Sequence, residues 1–266
     1  MLYVPARGGA NKGNRELLEA LVRRGHDCMA VVPSSGPDGA KDRPEFLEEL
    51  KRRGIALSGS NELADVFPIG GVEIHAVGEI KRLAEYLRTV IRMHPLDCVL
   101  IGDDASCWLL EIALELCPNK VVMLARATMN LPFGPHAAFH SRDNSRLITK
   151  ATAIICNSNH VADYVRKHLE SGFTPHPRIV KMLLPVMTLD PSQFAATGSV
   201  NRAFVTMVNP CAIKGIGIFL ELARRFPMVE FAGVPTWRTT GSDRGEMARL
   251  PNVRVLAPRD DIREIL

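Results

Sequence analysis

In the stretch 204-FVTMVNPCAIKGIGIFLELARRFPMVEFAG-233 an apolar run passes through Asn209, Pro210, Lys214 and Gly215 straight into an amphipathic segment. A strand that hands over to a helix in this way brings free backbone N–H groups and a cation to one spot, which suits a phosphate. Lys214 falls near the carboxyl end of the strand. Gly215 and Gly217 would let a ligand reach the helix N-terminus, although each glycine costs about 1 kcal/mol of helix propensity relative to alanine. A surface lysine at a helix start is also ordinary, so both readings stand. In 3-YVPARGGANKGNRELLEAL-21, Gly8 and Gly9 lie between an apolar run and a helical pattern. Paired glycines admit a ligand close to the backbone, and in open α/β sheets ligands sit outside the carboxyl ends of strands. The spacing fits neither GxGxxG nor GxxxxGK[ST], because Lys12 precedes Gly13. Ligand loop and plain tight turn both remain open there. A third stretch, 126-RATMNLPFGPHAAF-139, is a long irregular loop after an apolar run, a usual home for binding residues. His136 and His140 are four apart but have no third ligand or adjacent Glu, so they read as polar loop histidines rather than a zinc pair. Asp103 and Asp104 follow a run ending at Ile101, and their favoured role is to cap the next helix. No Ser-His-Asp or Cys-His arrangement can be assembled from spacing.

These loops need strands and helices to hold them. Short apolar runs alternate with longer amphipathic segments, the signature of β-α units around parallel sheet. The pattern predicts strands at Leu2–Val4, Cys28–Val32, Cys98–Ile101, Val121–Leu124, Ala153–Cys156 and Ile179–Leu183. It predicts helices at Asn14–Arg24, Pro44–Arg53, Ile80–Met93, Trp108–Leu116 and Val161–Leu169. Two extended runs around Gly70-Gly71 in 65-DVFPIGGVEIHAV-77 predict a hairpin. Residues 184–202 are rich in Pro, Ser, Thr and Gly and read as a linker. The alternation then resumes with strand Phe204–Val208, helix Ile216–Phe226, strands Val229–Ala232 and Val253–Leu256, and a helix from Asp260. Two domains are expected, 1–184 and 185–266.

A hydrophobic content of 46% over 266 residues suffices for a sizeable core. The net charge of +4 is spread along the chain, with Arg23-Arg24 and Lys51–Arg53 at predicted helix ends, and gives no reason to expect nucleic acid. Six cysteines without a CxxC pair read as reduced core thiols of a cytoplasmic protein. No run approaches the roughly 18 to 20 apolar residues of a membrane span, and the N-terminus lacks a signal-peptide pattern. Peripheral membrane contact stays open.

Taken in order, the initial strand with its Gly-Gly loop, the LPFGP loop and the VNPCAIKG loop resemble family 4 glycosyltransferases of GT-B architecture. The stretch 153-AIICNSNHVADYVRKH-168 is similar to the family's serine-marked strand and helix. The resemblance implies two Rossmann-like parallel-sheet domains, the second incomplete. It implies retaining, metal-independent and cofactor-free transfer of a sugar from a nucleotide-sugar donor to a small-molecule or glycan acceptor. Gly8 and Gly9 match the glycine loop near donor phosphates or acceptor, Lys214 the lysine that neutralises the donor diphosphate, and Asn209 and Gly215 its loop. Asn11, Phe133 and Gly134 fall in the acceptor-side loops.

The pattern also departs from the family. Arg126 stands where members often carry a histidine near the reacting sugar, and it inherits the catalytic position; Asn209 stands where many carry an arginine. Members continue beyond a segment like 260-DDIREIL-266 with a glutamate-bearing motif. The expectation is therefore a fragment, a shortened relative that needs a partner, or a chain without transfer activity. A non-catalytic binding protein that pairs with a complementing subunit or a second copy is the alternative. A nicotinamide-dependent oxidoreductase shares the α/β class but lacks the glycine fingerprint and its acidic partner.

Overall fold

The computed structural model describes residues 9–34, 43–102, 105–169, 176–183, 204–236, 238–259 and 265. The expected strand Leu2–Val4, the linker 184–202 and all but Ile265 of the final helix lie outside these residues, as do Gly8, Asp103 and Asp104. The chain divides into two compact units, Met1–Thr188 and Leu189–Leu266.

In the first unit the order is α1 (Gly9–Arg23), β1 (Met29–Pro33), α2 (Arg43–Arg52), β2 (Gly59–Ser60), β3 (Ala64–Ile69), β4 (Val72–Val77) and α3 (Leu83–Met93). It continues with β5 (Val99–Gly102), α4 (Trp108–Leu116), β6 (Val121–Ala125), α5 (Arg142–Thr149), β7 (Ala153–Cys156), α6 (Asn159–His168) and β8 (Arg178–Lys181). One sheet runs β1-β4-β3-β2, with β1 and β4 parallel and the other pairs antiparallel. The second, β5-β6-β7-β8, is parallel throughout. In the second unit β9 (Val205–Val208), α7 (Ile216–Arg225), β10 (Phe231–Val234), α8 (Gly241–Ala248) and β11 (Val253–Val255) form a parallel sheet of order β11-β10-β9. The α/β architecture with parallel sheets is thus the one the alternation predicts.

The β3–β4 hairpin turns on Gly70 (φ 59°) and Gly71 (φ 78°), a left-handed pair whose twist matches that of the strands. Helix α1 packs over this turn so closely that a Cβ on Gly71 would sit 2.7 Å from Val22 Cγ1. α3 is apolar on two neighbouring flanks. Leu83, Tyr86 and Val90 pack with Ala64 and Val77 of the first sheet, while Ala84, Leu87 and Ile91 join the large core around β5, β6, α4 and α6. Inside the first cluster a buried His75 bonds Tyr86 Oη at 2.8 Å and Glu73 Oε1 at 2.7 Å, so both ring nitrogens are satisfied.

Several boundaries differ from the sequence expectation. α1 begins at Gly9 rather than Asn14; Gly13 and Asn14 are buried, and Asn14 accepts from Arg126, a tertiary contact that local propensity does not register. The first turn expected in α3, Ile80–Arg82, is a 3₁₀ turn. α5 and α8 were not expected. α8, GSDRGEMA, buries only Met247 and starts on a capping box in which Thr240 and Asp243 bond each other's backbone N–H. All six cysteines are free thiols, with Cys107, Cys117, Cys156 and Cys211 buried, whereas Cys98 is exposed and so is no core residue. Burial pushes the Cys156 thiol up to about 11, and it raises Cys28 and Cys98 as well.

Candidate functional site

Arg126 is the first residue past β6. Its Nη2 donates to Oδ1 of Asn14, a buried residue in the early turns of α1, 112 positions away. Nη1 lies over the end of β5, where a Cβ on Gly102 would stand 3.1 Å from it. The guanidinium therefore ties α1 to the carboxyl edge of the β5–β8 sheet, and the absent side chain of Gly102 makes room for it. Just past β7, the Asn157 N–H donates to Ala125 O at 3.3 Å. Its side-chain Oδ1 is buried and has no hydrogen-bond partner, an acceptor at the sheet edge where ligands collect in α/β folds. Gly9 and Asn11 belong to the first turn of α1; Gly9 is exposed, and a Cβ there would meet nothing within 4 Å.

The LPFGP loop is bound to α6 by one side chain. Tyr164 Oη donates to Phe133 O at 2.8 Å and accepts from the His136 N–H at 3.0 Å. Phe133 is buried and stacks on Tyr164 with ring centroids 6.3 Å apart. Gly134 has φ 77°, and a Cβ there would lie 2.4 Å from Tyr164 Oη. Packing thus accounts for both residues. The His136 ring stacks on Tyr164 at 5.1 Å and on His160 at 5.9 Å, while His140 Nε2 donates to Gly134 O at 3.0 Å. Among the described residues no group of three or more His, Cys, Asp or Glu could hold a metal ion.

In the second unit the carboxyl edge is more open. Asn209 is the first residue past β9, with φ 60°, and is buried. Its N–H donates to Val234 O at 2.9 Å, and its Oδ1 accepts from the Arg238 N–H at 3.3 Å. The side chain thereby joins the loop after β9 to the loop after β10. Ala212–Lys214 then makes one 3₁₀ turn, and Gly215 caps α7 in the left-handed region at φ 85°, a conformation that a side chain would strain. No side chain caps the first turn of α7. Gly217 has no such need, since its Cβ would meet nothing within 4 Å.

Lys214 is exposed beside this helix start. Elsewhere in this unit the carboxylates pair with arginines: Glu221 with Arg225 and Arg224, Glu230 with Arg254, Glu246 with Arg249 and Arg224. Hydrogen bonding from Arg225 holds the Glu221 carboxyl below its usual range. A cation and the positive end of a helix dipole therefore share one edge, an arrangement that attracts anions. Sequence reasoning missed Asn14, Asn157 and Arg238. Asn157 and Arg238 follow strands β7 and β10, so the rule that ligands gather past strand ends could have flagged them; nothing local marks Asn14.

No protein-family model matches the chain, and no curated protein matches it. Among solved structures it is similar to α,α-trehalose 6-phosphate synthase from Burkholderia multivorans, with TM-score 0.45 and 12% identity over 88% of this chain and 73% of that one. It is also similar to a GtfA/B complex, with TM-score 0.43 and 10% identity over 79% of this chain and 43% of that one. No helix among the described residues is long and apolar enough to cross a membrane.

Proposed function

We propose that the chain is a glycosyltransferase of GT-B type that takes a sugar from a nucleotide-sugar donor, with retention and without a metal, and delivers it to a hydroxyl-bearing acceptor. The observation that carries this reading is the exposed Lys214 next to the Gly215-capped, side-chain-free start of α7. Here Lys214 and the Gly217 N–H hold the donor diphosphate, the Ile216 and Ile218 N–H groups being already bonded to Cys211 O and Gly215 O. As the glycosidic bond breaks, negative charge builds on the leaving diphosphate, and a cation fixed beforehand at that position lowers the barrier. Asn209 sets the loop by accepting from the Arg238 N–H through Oδ1. In the first unit Asn157 Oδ1 offers an acceptor for a hydroxyl, and Arg126 sits at the same sheet edge.

Isothermal calorimetry with UDP, GDP and dTDP, run on the wild-type chain and on Lys214→Ala, tests the donor site. The expected result is binding of one nucleotide, weakened at least about tenfold by the substitution, as befits a lost charge-assisted contact of about 1.5–3 kcal/mol. Equal affinity of both proteins would sink the assignment of Lys214. A second reading, a binding protein that works with a partner, is favoured by the apolar side chains that α7 and its C-terminal cap leave in solvent, Ile218 at 70% and Phe226 at 52% exposure. Nucleotide binding without sugar transfer to any acceptor would favour it.

A further inference from the structure

The three strands of the second unit are parallel, so their carboxyl ends share one edge. Each loop leaving that edge carries an exposed cation: Lys214 after β9, Arg238 after β10 and Arg259 after β11. The charges around them differ. The stretches 209–215 and 235–240 contain no acidic residue, whereas Arg259 is followed at once by Asp260 and Asp261. The first two loops are therefore the purely basic ones, and they belong to strands that pair directly, β9 with β10.

These two loops are fastened to each other at a single residue. Buried Asn209 donates its N–H to Val234 O and accepts the Arg238 N–H through Oδ1. The loop after β10 is itself a tight turn, in which the Thr239 N–H donates to Thr236 O at 3.1 Å and Thr239 Oγ1 accepts from the Thr236 N–H at 3.2 Å. Arg238 sits in that turn, its backbone held against the side chain that opens the Lys214 loop. Position 209 has φ 60°, which glycine would adopt more easily. Glycine, however, has no acceptor for the Arg238 N–H, and asparagine is among the few side chains that tolerate the left-handed region. A lone lysine suits one anionic centre. Two cations on adjoining, hydrogen-bonded loops suit an anion with two centres, and a guanidinium adds a planar fork that matches phosphate oxygens.

We propose that Arg238 is a second ligand for the diphosphate of a nucleoside diphosphate, beside Lys214, and that Asn209 is the positioning residue that holds Arg238 in place. Lys214 takes one phosphate and Arg238 the other. Asn209 acts through its hydrogen bond to the Arg238 N–H. This inference rests on the donor reading of the Lys214 loop and extends the site to the next β-α loop. A cation fixed in advance on each phosphate meets the charge that gathers on the leaving diphosphate without reorganisation.

Calorimetric titration of the full chain with inorganic pyrophosphate, and with inorganic phosphate as the single-centre control, tests it. Arg238→Ala is expected to weaken pyrophosphate at least about tenfold, as the loss of a charge-assisted pair does, and to affect phosphate much less. Arg238→Lys keeps the charge without the fork and should fall between the two. Asn209→Gly retains the left-handed backbone and removes only the acceptor. It should weaken pyrophosphate in the wild-type background and add nothing in the Arg238→Ala background, a non-additivity that general loosening of the loop does not produce. Circular dichroism of every variant should match the wild type. Equal pyrophosphate affinity of wild type and Arg238→Ala overturns the role of Arg238, and if Lys214→Ala still weakens binding the donor loop stands without it. Fully additive losses in the double variant overturn the positioning role of Asn209. A wild-type chain that binds no pyrophosphate overturns both this inference and the donor reading beneath it.

Discussion

The loop after β6 and the loop after β9 leave equivalent places, the carboxyl ends of parallel strands, yet they are held in different ways. The first is closed by its own side chains: Phe133 is buried, Gly134 lies against Tyr164, and Arg126 reaches across to Asn14. The second is fixed mainly through backbone, by the left-handed residues Asn209 and Gly215, and leaves Lys214 in solvent. Rigidity bought by packing uses up side chains, whereas rigidity from backbone geometry leaves them for a ligand. Substitutions in the first loop should therefore act on stability, and those in the second on binding.

The largest effect is expected at Gly134→Ala. Left-handed strain and the collision with Tyr164 together should cost about 3 kcal/mol, read as a fall in the urea midpoint. Tyr164→Phe leaves the Phe133 carbonyl and the His136 N–H without their shared hydroxyl and should cost about 2 kcal/mol in the same assay. The core beneath this loop adds a pH signature. With the Cys156 thiol raised from 9.0 to about 11, the folded state favours its protonated form. That contribution is complete below pH 9 and is lost as the pH rises toward 11. Stability measured across that window should fall, and less steeply in Cys156→Ala.

In the second loop the effects are smaller and divide differently. Gly217→Ala fills open space within α7 and should stabilise by about 0.5–1 kcal/mol. If nucleotide affinity drops at the same time, the glycine is kept for a ligand; if it does not, Gly215 alone shapes the loop. Lys214→Ala should change stability by less than about 0.5 kcal/mol, as surface changes do. A larger loss would make Lys214 a structural residue and undo the contrast between the loops.

Elements whose cause is local could be read from the sequence. Ala153–Cys156 and Trp108–Leu116 are found with the same bounds as expected, each being an uninterrupted apolar or periodic run between clear breaks. Gly70-Gly71 marked the hairpin because few other pairs accept two left-handed conformations in succession. α8 escaped because two glycines and one buried methionine give almost no periodicity, though Thr240 and Asp243 did carry the capping signal. The place of Lys214 was legible for the same reason as the strands: an apolar run, a loop and a helix in immediate succession. The jobs of Phe133 and Gly134 were not, because Tyr164, some thirty positions on, decides them. Asn209 was likewise opaque, since its side chain answers to a backbone N–H in the next β-α loop.

The shared helix α3 has a consequence for how the first unit comes apart. One of its flanks closes the core of the mixed sheet and the other closes that of the parallel sheet. Neither sheet can release α3 without exposing the other's interior, so amide hydrogen exchange in β4 and in β6 should be governed by one common opening. The slowest amides of both strands are expected to share a single protection level and to lose it together as denaturant is added.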